Sequence, residues 1–222
     1  MQNQSQLVLI RHGESTYNEK NLFTGWEDVQ LTEKGTKQAH SAAPLIQHIT
    51  FSHAFTSKLI RAQNTLDIIL TDINQQVNVI QHIALNERDY GSLVGQNKLD
   101  AAKQFGKEQV QEWRRSYNTP PPNGESLEMT AKRSIPYFQK NIEPLLKGNN
   151  NIIVSAHGNS IRSIVMYLHS FNSEQILKTE IGWCEPWIYT FNNGIKTDFK
   201  IVPRPNSISK SHIPENSEYV TE

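Results

Sequence analysis

Two stretches far apart in the chain constrain its fold more than any others. Leu7-Val8-Leu9-Ile10 is an unbroken branched apolar run that ends in Arg11-His12-Gly13, and Ile152-Ile153-Val154-Ser155-Ala156 ends in His157-Gly158. Runs apolar at every position, rather than at alternate ones, suit strands covered on both faces, which is the situation of a parallel sheet between two layers of helices. In such a sheet the carboxyl ends of the strands share one edge, and ligands bind in the crevice there. His12 and His157 are therefore expected to meet in one pocket. Either motif alone reads more readily as a structural histidine after a strand; the pair is what favours catalysis.

The rest of the chain supports this architecture. Thr32 is placed to cap a helix running to about Gln47, with Glu33 at the positive end of its dipole. Phe51 to Thr56 reads as a strand and Ser57 as the next cap. Leu59, Ala62, Leu66, Ile69 and Leu70 then recur at helical spacing. A third short strand is expected at Val77 to Ile80, with helices at Lys98 to Phe105 and Glu108 to Tyr117. Ser126 is expected to cap a helix through Leu146 that Pro136 should kink or split. A further helix is expected from Ser160 to about Leu168. Ile188 to Phe191 and Ile195 to Val202, joined through Asn192-Asn193-Gly194, read as a hairpin. The expectation is an α/β fold, three layers with a mostly parallel central sheet, forming one domain over 1–202. Residues 203–222 are read as a polar, flexible tail able to close over the site. Met166, Trp183 and Trp187 are assigned to the core.

Composition excludes more than it selects. The formal charge of the 222 residues is zero, so no overall field draws the protein to nucleic acid or to an anionic membrane, and attraction for anions has to be local. The polar start Met1 to Gln6 does not read as a secretory signal, and no apolar run approaches a membrane span. The single cysteine, Cys184, rules out an internal disulfide and a cysteine-based zinc site, and is read as inert packing. No close His/Asp/Glu spacing suggests a metal, and neither glycine fingerprint of a nucleotide site follows the first strand. A cytoplasmic protein is expected.

Several positions suggest chemistry. A neutral imidazole beside a guanidinium, as in Arg11-His12, suits attack on phosphorus while the arginine holds phosphate oxygens. Arg61 falls in the first turn of a helix, where anions bind, but equally reads as a solvated charge. Leu85-Asn86-Glu87-Arg88-Asp89-Tyr90-Gly91 holds a carboxylate among cations, either a general acid/base or a surface salt-bridge cluster. Phe23-Thr24-Gly25-Trp26 is a loop that folds over a ligand or simply connects. Arg114-Arg115 end a helix whose dipole they complement.

Taken together, Arg11-His12-Gly13-Glu14-Ser15 and His157-Gly158-Asn159 resemble the histidine phosphatase superfamily. Phe23-Thr24-Gly25-Trp26, Leu31-Thr32-Glu33-Lys34-Gly35, Leu85 to Gly91, Asn97-Lys98 and Gln111-Glu112-Trp113-Arg114-Arg115 narrow the resemblance to its cofactor-dependent phosphoglycerate mutases. The match runs from about Leu7 to Leu168. It implies a mutase-like fold and a 2,3-bisphosphoglycerate cofactor rather than a metal. It also implies a phosphorylated carboxylic acid as substrate. By this resemblance His12 is the nucleophile and Glu87 the acid/base. Arg11, Arg61 and His157 bind the transferring phosphoryl group, with Ser15, Asn18, Gly158 and Asn159 beside it. Thr24, Gly25, Arg88, Tyr90, Lys98, Arg114 and Arg115 hold the rest of the substrate. Five of the eight arginines are among these residues, as one concentrated anion site requires. The chain lacks a segment that longer relatives carry between Pro120-Pro121 and Glu125-Ser126, and Ile181 to Trp187 departs from the usual family sequence. The oligomeric state, homodimer or monomer, is left open by both differences.

Three classes of function compete at this point: a mutase, a phosphatase in which water takes the phosphoryl group from His12, and a non-catalytic sensor of phosphorylated metabolites. A plain phosphatase has little need of Arg88, Tyr90, Lys98, Arg114 and Arg115 together. A sensor has no need to keep both His12 and Glu87.

Overall fold

A computed structural model of the chain describes residues 4–205 and 208–214. At its centre lies β1 (Gln4–Arg11), whose Leu7, Val8, Leu9 and Ile10 have no exposed surface. On one side β1 pairs in parallel with β4 (Ile152–Ala156), Arg11 opposite Ala156. On its other side lies β5 (Trp187–Asn192), antiparallel. Next to β4 is β2 (His53–Thr56), and then β3 (Val79–Gln81) at the edge, both parallel. At the opposite edge β6 (Ile195–Ile201) forms a hairpin with β5. The six-stranded order is β3-β2-β4-β1-β5-β6, four parallel strands extended by an antiparallel pair.

Period-two alternation along β1 divides the core. Val8 and Ile10 face α2 (Glu33–Ile46) and α3 (Ile60–Asp72), packing with Ala39, Ala42, Leu66 and Ile69. Leu7 and Leu9 face α6 (Leu127–Asn141) and α7 (Gly158–His169), packing with Phe138, Ile161 and Ile164. The three-layer expectation holds. Of the remaining helices, α1 (Thr16–Glu19) follows β1 and α8 (Ser173–Leu177) follows α7. The pair α4 (Lys98–Phe105) and α5 (Lys107–Arg115) forms a satellite cluster through Ala101 and Val110 against Phe23 and Leu93.

Glycine is required where β1 turns toward α2. A Cβ on Gly13 would sit 2.3 Å from the Gly35 carbonyl oxygen, and one on Gly35 would sit 2.0 Å from that of Glu14. The close crossing is held by Thr32, which caps α2 through Gly35 N–H and donates its own N–H to the Glu14 carbonyl at 2.9 Å.

Several boundaries differ from the sequence reading. Ser57 does not cap α3; Leu59 takes that position without a side-chain bond, because the Ser57 hydroxyl is engaged elsewhere. Pro136 does not split α6, since both it and Lys132, whose carbonyl loses a partner, lie on the solvent face. The break comes at Ile142 instead, followed by a 3-10 turn at Glu143–Lys147. β3 starts two residues later than expected and is exposed throughout. Trp187 is core, whereas Trp183 is only partly buried.

The segment after Pro203 is not a free tail in its described part. His212 and Glu180 exchange both main-chain hydrogen bonds at 3.1 Å. Ser211 Oγ accepts from Gly182 N–H and from Trp187 Nε1, while Ser209 Oγ donates to the buried Glu185 at 2.9 Å. Residues 206–207 and 215–222 lie outside the described residues. No helix among the described residues is long and apolar enough to cross a membrane.

Candidate active site

The β1–β4 register brings the two histidines together. The His12 N–H donates to the Ala156 carbonyl at 3.0 Å, and the two imidazole centroids lie 4.9 Å apart. His12 Nδ1 is 2.6 Å from the Gly13 carbonyl oxygen. A carbonyl only accepts, so Nδ1 carries the proton and Nε2 keeps its lone pair. Burial, then Arg61 and Arg11, hold the His12 pKa well below its ordinary 6.5, the Gly13 bond opposing them only in part. His157 is held down likewise, by burial first and then by Arg61, His12 and Arg11. Its Nε2 lies 2.8 Å from Ser57 Oγ, which also accepts the Leu59 N–H. Ser57 is thus a positioning residue for His157 rather than a helix cap.

Stability inherits a pH dependence from these rings. Below about 6.5 the unfolded chain binds protons that His12 and His157 refuse in the fold. His169, lowered to about 3 mainly by burial, acts in the same direction. Stability present at neutral pH is therefore lost as the pH falls from 6.5 toward these lower folded-state values. Urea unfolding should show a lower midpoint at pH 5.5 than at pH 7.5, with an unchanged slope.

Around His12 lies a cavity of about 170 Å³. Arg11 is fixed from the stretch before β5: its Nη1 donates to the Ile181 carbonyl at 2.9 Å, and its own carbonyl accepts the Cys184 N–H. Trp183 lies beside it, 5.4 Å from the guanidinium carbon. Cys184 is buried, its thiol pushed up to about 12 by burial, as an inert packing residue should be. Arg61 reaches over from α3 and donates to the carbonyls of Gly25 and Glu27 at 2.8 Å, which fixes the loop carrying Thr24. Burial lowers its pKa to about 10, still cationic at neutral pH. The Nε–H groups of Arg11 and Arg61 are buried without a hydrogen-bond partner among the described residues.

Glu87 forms the opposite wall. Its Oε1 accepts from Arg88 N–H at 2.8 Å and from both the main chain and the side chain of Asn159 at 3.0 Å. Its Oε2 approaches Gly158, at 3.7 Å from where a Cβ would lie. Asn18 presents its amide NH2, since its oxygen is taken by Ser15 N–H and Oγ–H. Farther out, Tyr90, Lys98, Arg114 and Arg115 line the same cavity.

Most residues expected from the sequence meet here: Arg11, His12, Asn18, Thr24, Gly25, Arg61, Glu87, Tyr90, Lys98, Arg114, Arg115, Gly158 and Asn159 line the cavity, with His157 behind His12. Ser15 and Arg88 do not. Ser15 is buried as the cap of α1. Arg88 lies under Tyr90, 4.6 Å from its ring, donating to its hydroxyl and to the Arg114 carbonyl. Each touches a lining residue, Ser15 bonding Asn18 and Arg88 bonding Tyr90. The sequence reading missed Arg162 and Glu180 on the cavity wall. Arg162 follows Asn159 by three residues, the same face of α7, and that spacing could have revealed it. Nothing local marks Glu180. It also missed Arg133, which forks onto Glu125 at 2.8 and 2.7 Å and donates to the carbonyls of Ala84, Asn86 and Glu87. This one guanidinium fixes the main chain that carries Glu87.

The wall thus carries six cations, Arg11, Arg61, Lys98, Arg114, Arg115 and Arg162, against two carboxylates, in a chain of zero formal charge. Burial and mutual repulsion lower Lys98 and Arg114, as expected where cations crowd without enough counter-charge. Such a cavity binds a small polyanion and sets a neutral imidazole nitrogen and a carboxylate around it.

Comparison with known proteins agrees with this geometry. Residues 7–197 match the model of the histidine phosphatase superfamily, branch 1. A 2,3-bisphosphoglycerate-dependent phosphoglycerate mutase of Parvibaculum lavamentivorans is 48% identical over 190 residues, covering 84% of this chain and 90% of its own. Another such mutase, from Gloeobacter violaceus, is 46% identical over 95% of this chain and 97% of its own. One from Arabidopsis thaliana is 47% identical over 86% of this chain and 66% of its own length. Among solved structures, an alpha-ribazole phosphatase from Shigella flexneri has a TM-score of 0.75 at 23% identity, over 89% of this chain and 95% of that one. A phosphoglycerate mutase from Bacillus anthracis has 0.70 at 23%, over 88% and 92%. These two likenesses show the fold alone. The family match across the sheet and the extended identity to the mutases place the chain in one group: it belongs to the histidine phosphatase superfamily, within its 2,3-bisphosphoglycerate-dependent phosphoglycerate mutases.

Proposed function

We propose that the protein interconverts 2-phosphoglycerate and 3-phosphoglycerate through a phosphohistidine at His12. The observation that carries this reading is the pairing, in one cation-lined cavity, of an imidazole whose proton is pinned on Nδ1 with a carboxylate, Glu87. The six cations and the buried unsatisfied guanidinium N–H groups of Arg11 and Arg61 suit a bisphosphorylated acid. When bound, 2,3-bisphosphoglycerate supplies the phosphoryl group that primes the enzyme.

In the first transfer the phosphoryl group on His12 Nε2 passes to the free hydroxyl of the substrate, its N–P bond breaking as the new O–P bond forms. After the bisphosphorylated acid turns, Nε2 attacks the other phosphorus and the N–P bond is restored as that O–P bond breaks. Arg11 and Arg61, with His157, meet the charge spread over the transferring oxygens. Glu87 takes the proton from the hydroxyl as it is phosphorylated and returns one to the substrate oxygen that departs in the second transfer. Tyr90, Lys98, Arg114 and Arg115 hold the carboxylate and the second phosphate, so that the intermediate reorients without leaving. Water, which would turn the reaction into hydrolysis, is kept out by the filled cavity.

A coupled assay of 3-phosphoglycerate conversion, run in a chelator with and without 2,3-bisphosphoglycerate, tests the proposal. Conversion that survives the chelator and rises with the bisphosphate supports it. Release of phosphate from simple monoesters without conversion overturns it in favour of hydrolysis.

Arg133 provides a separate check, because it stands off the cavity wall. Arg133→Lys keeps the charge but loses the fork that holds the Glu87 main chain. Turnover should fall by about ten- to a hundredfold, the cost of a slightly misplaced acid/base, while KM stays nearly unchanged. A raised KM at full turnover would mean that Arg133 serves binding instead.

A further inference from the structure

Arg115 and Glu180 belong to two cavities at once. They stand on the wall of the site around His12, and they also line an outer depression of about 610 Å³ together with Gln111, Lys178 and His212. Between the two spaces they form an ion pair, Arg115 Nη1 donating to Glu180 Oε1. The second carboxylate oxygen, Oε2, is 2.7 Å from Arg162 Nη2. The two arginines are held differently. Arg162 is nearly buried and anchored by its Nε to the Thr179 carbonyl at 2.8 Å. Arg115 is the last residue of α5, and its side chain is 39% exposed.

A carboxylate inside an anion site competes with the ligand. Burial pushes the Glu180 carboxyl up, but Arg162, Arg115 and Arg11 outweigh it and hold it below its ordinary value, so it is ionised at neutral pH. Its two oxygens then occupy guanidinium donors that a carboxylate or phosphate would otherwise use. We propose that Glu180 is an internal counter-ion that gates the cavity, holding Arg115 across the partition until an entering anionic group of the substrate takes that guanidinium from it. The exchange leaves no charge unpaired, because Glu180 keeps Arg162 when Arg115 departs. It selects for ligands with enough negative charge to displace a carboxylate. The main-chain bonds between Glu180 and His212 also seat the chain's C-terminal segment on the gate residue itself. The proposal rests on reading the cavity as a phosphorylated-acid site.

The test uses the full chain and inorganic tripolyphosphate, a linear polyanion, with binding read by calorimetry. Glu180→Gln keeps the shape and removes the competing charge, so tripolyphosphate should bind about three- to tenfold tighter. Unchanged or weaker binding would overturn the gate and make Glu180 a support that holds Arg115 in place. The unaltered protein gives a second readout, independent of whether the variant folds. Carbon NMR of the Glu180 carboxyl should show its pKa rising toward the ordinary value when tripolyphosphate saturates the site. A pKa unmoved by saturation overturns the exchange. Neither readout uses turnover, so absence of 3-phosphoglycerate conversion would count against the mutase reading and leave the gate standing.

Discussion

His12→Ala should lose on the order of 10⁴-fold or more of its turnover and give no acid-labile phosphoprotein on incubation with radiolabelled 2,3-bisphosphoglycerate. The size of the loss follows from the arrangement. Alanine removes the one nitrogen whose lone pair is freed by the Gly13 carbonyl, and His157 cannot substitute, because it stands behind His12 and off the cavity wall. The cationic cavity would remain, so the variant should still bind 3-phosphoglycerate. Retained turnover, or label trapped on the alanine variant, would remove the nucleophile assignment. The wild-type label should be stable in alkali and lost in acid, the behaviour of a phosphorus–nitrogen bond.

Glu87→Gln is expected to lower kcat by about 10²–10⁴-fold, the range of a lost general acid/base. The substitution is a narrow one. Glutamine can still accept from Arg88 and Asn159 through an oxygen in the Oε1 position, so the loop keeps its bonds. What it loses is a carboxylate able to take and return a proton. It also removes one of two negative charges from the wall, so KM for the anionic substrate should stay level or fall. Phosphorylation of His12 and exchange of the hydroxyl proton then separate. A large rise in KM at unchanged kcat would show that Glu87 only binds substrate.

Features that depend on both faces of a strand being covered, or on a spacing within one helix, were legible in the chain. Leu7 to Ile10 and Ile152 to Ala156 could be placed side by side because unbroken apolar runs have few other solutions, and this alone brought His12 next to His157. The resemblance supplied the outer residues, and the structure gathers nearly all of them at one cavity. What it could not supply was which residues touch the cavity and which stand behind. Ser15 and Arg88 share motifs with lining residues but are buried one layer back, because α1 needs a cap and Tyr90 a support. Ser57 misled the reading because serine before a helix is a good cap, whereas here the hydroxyl answers to a histidine one hundred residues away. Glu180 carries no local signal at all; its position is set by the turn after α8 and by two arginines on other helices. Pro136 and the segment after Pro203 show the opposite error, local rules overridden by a solvent-facing carbonyl in one case and by Glu185 and Trp187 in the other.

The strand order also bears on how the molecule is made. β1 leaves the ribosome well before either of its neighbours, since β4 and β5 both lie beyond residue 150. Contacts of such long sequence separation slow folding, since chain entropy is lost before they form. The run Leu7 to Ile10 therefore waits, apolar and unpaired, until β4 has been synthesised. A nascent chain halted before β4 holds His12 but not its pocket, and it exposes an apolar strand open to pairing with another molecule. Assembly of the cavity around His12 and protection from aggregation thus arrive in the same late event, the insertion of β1 between strands made much later than itself.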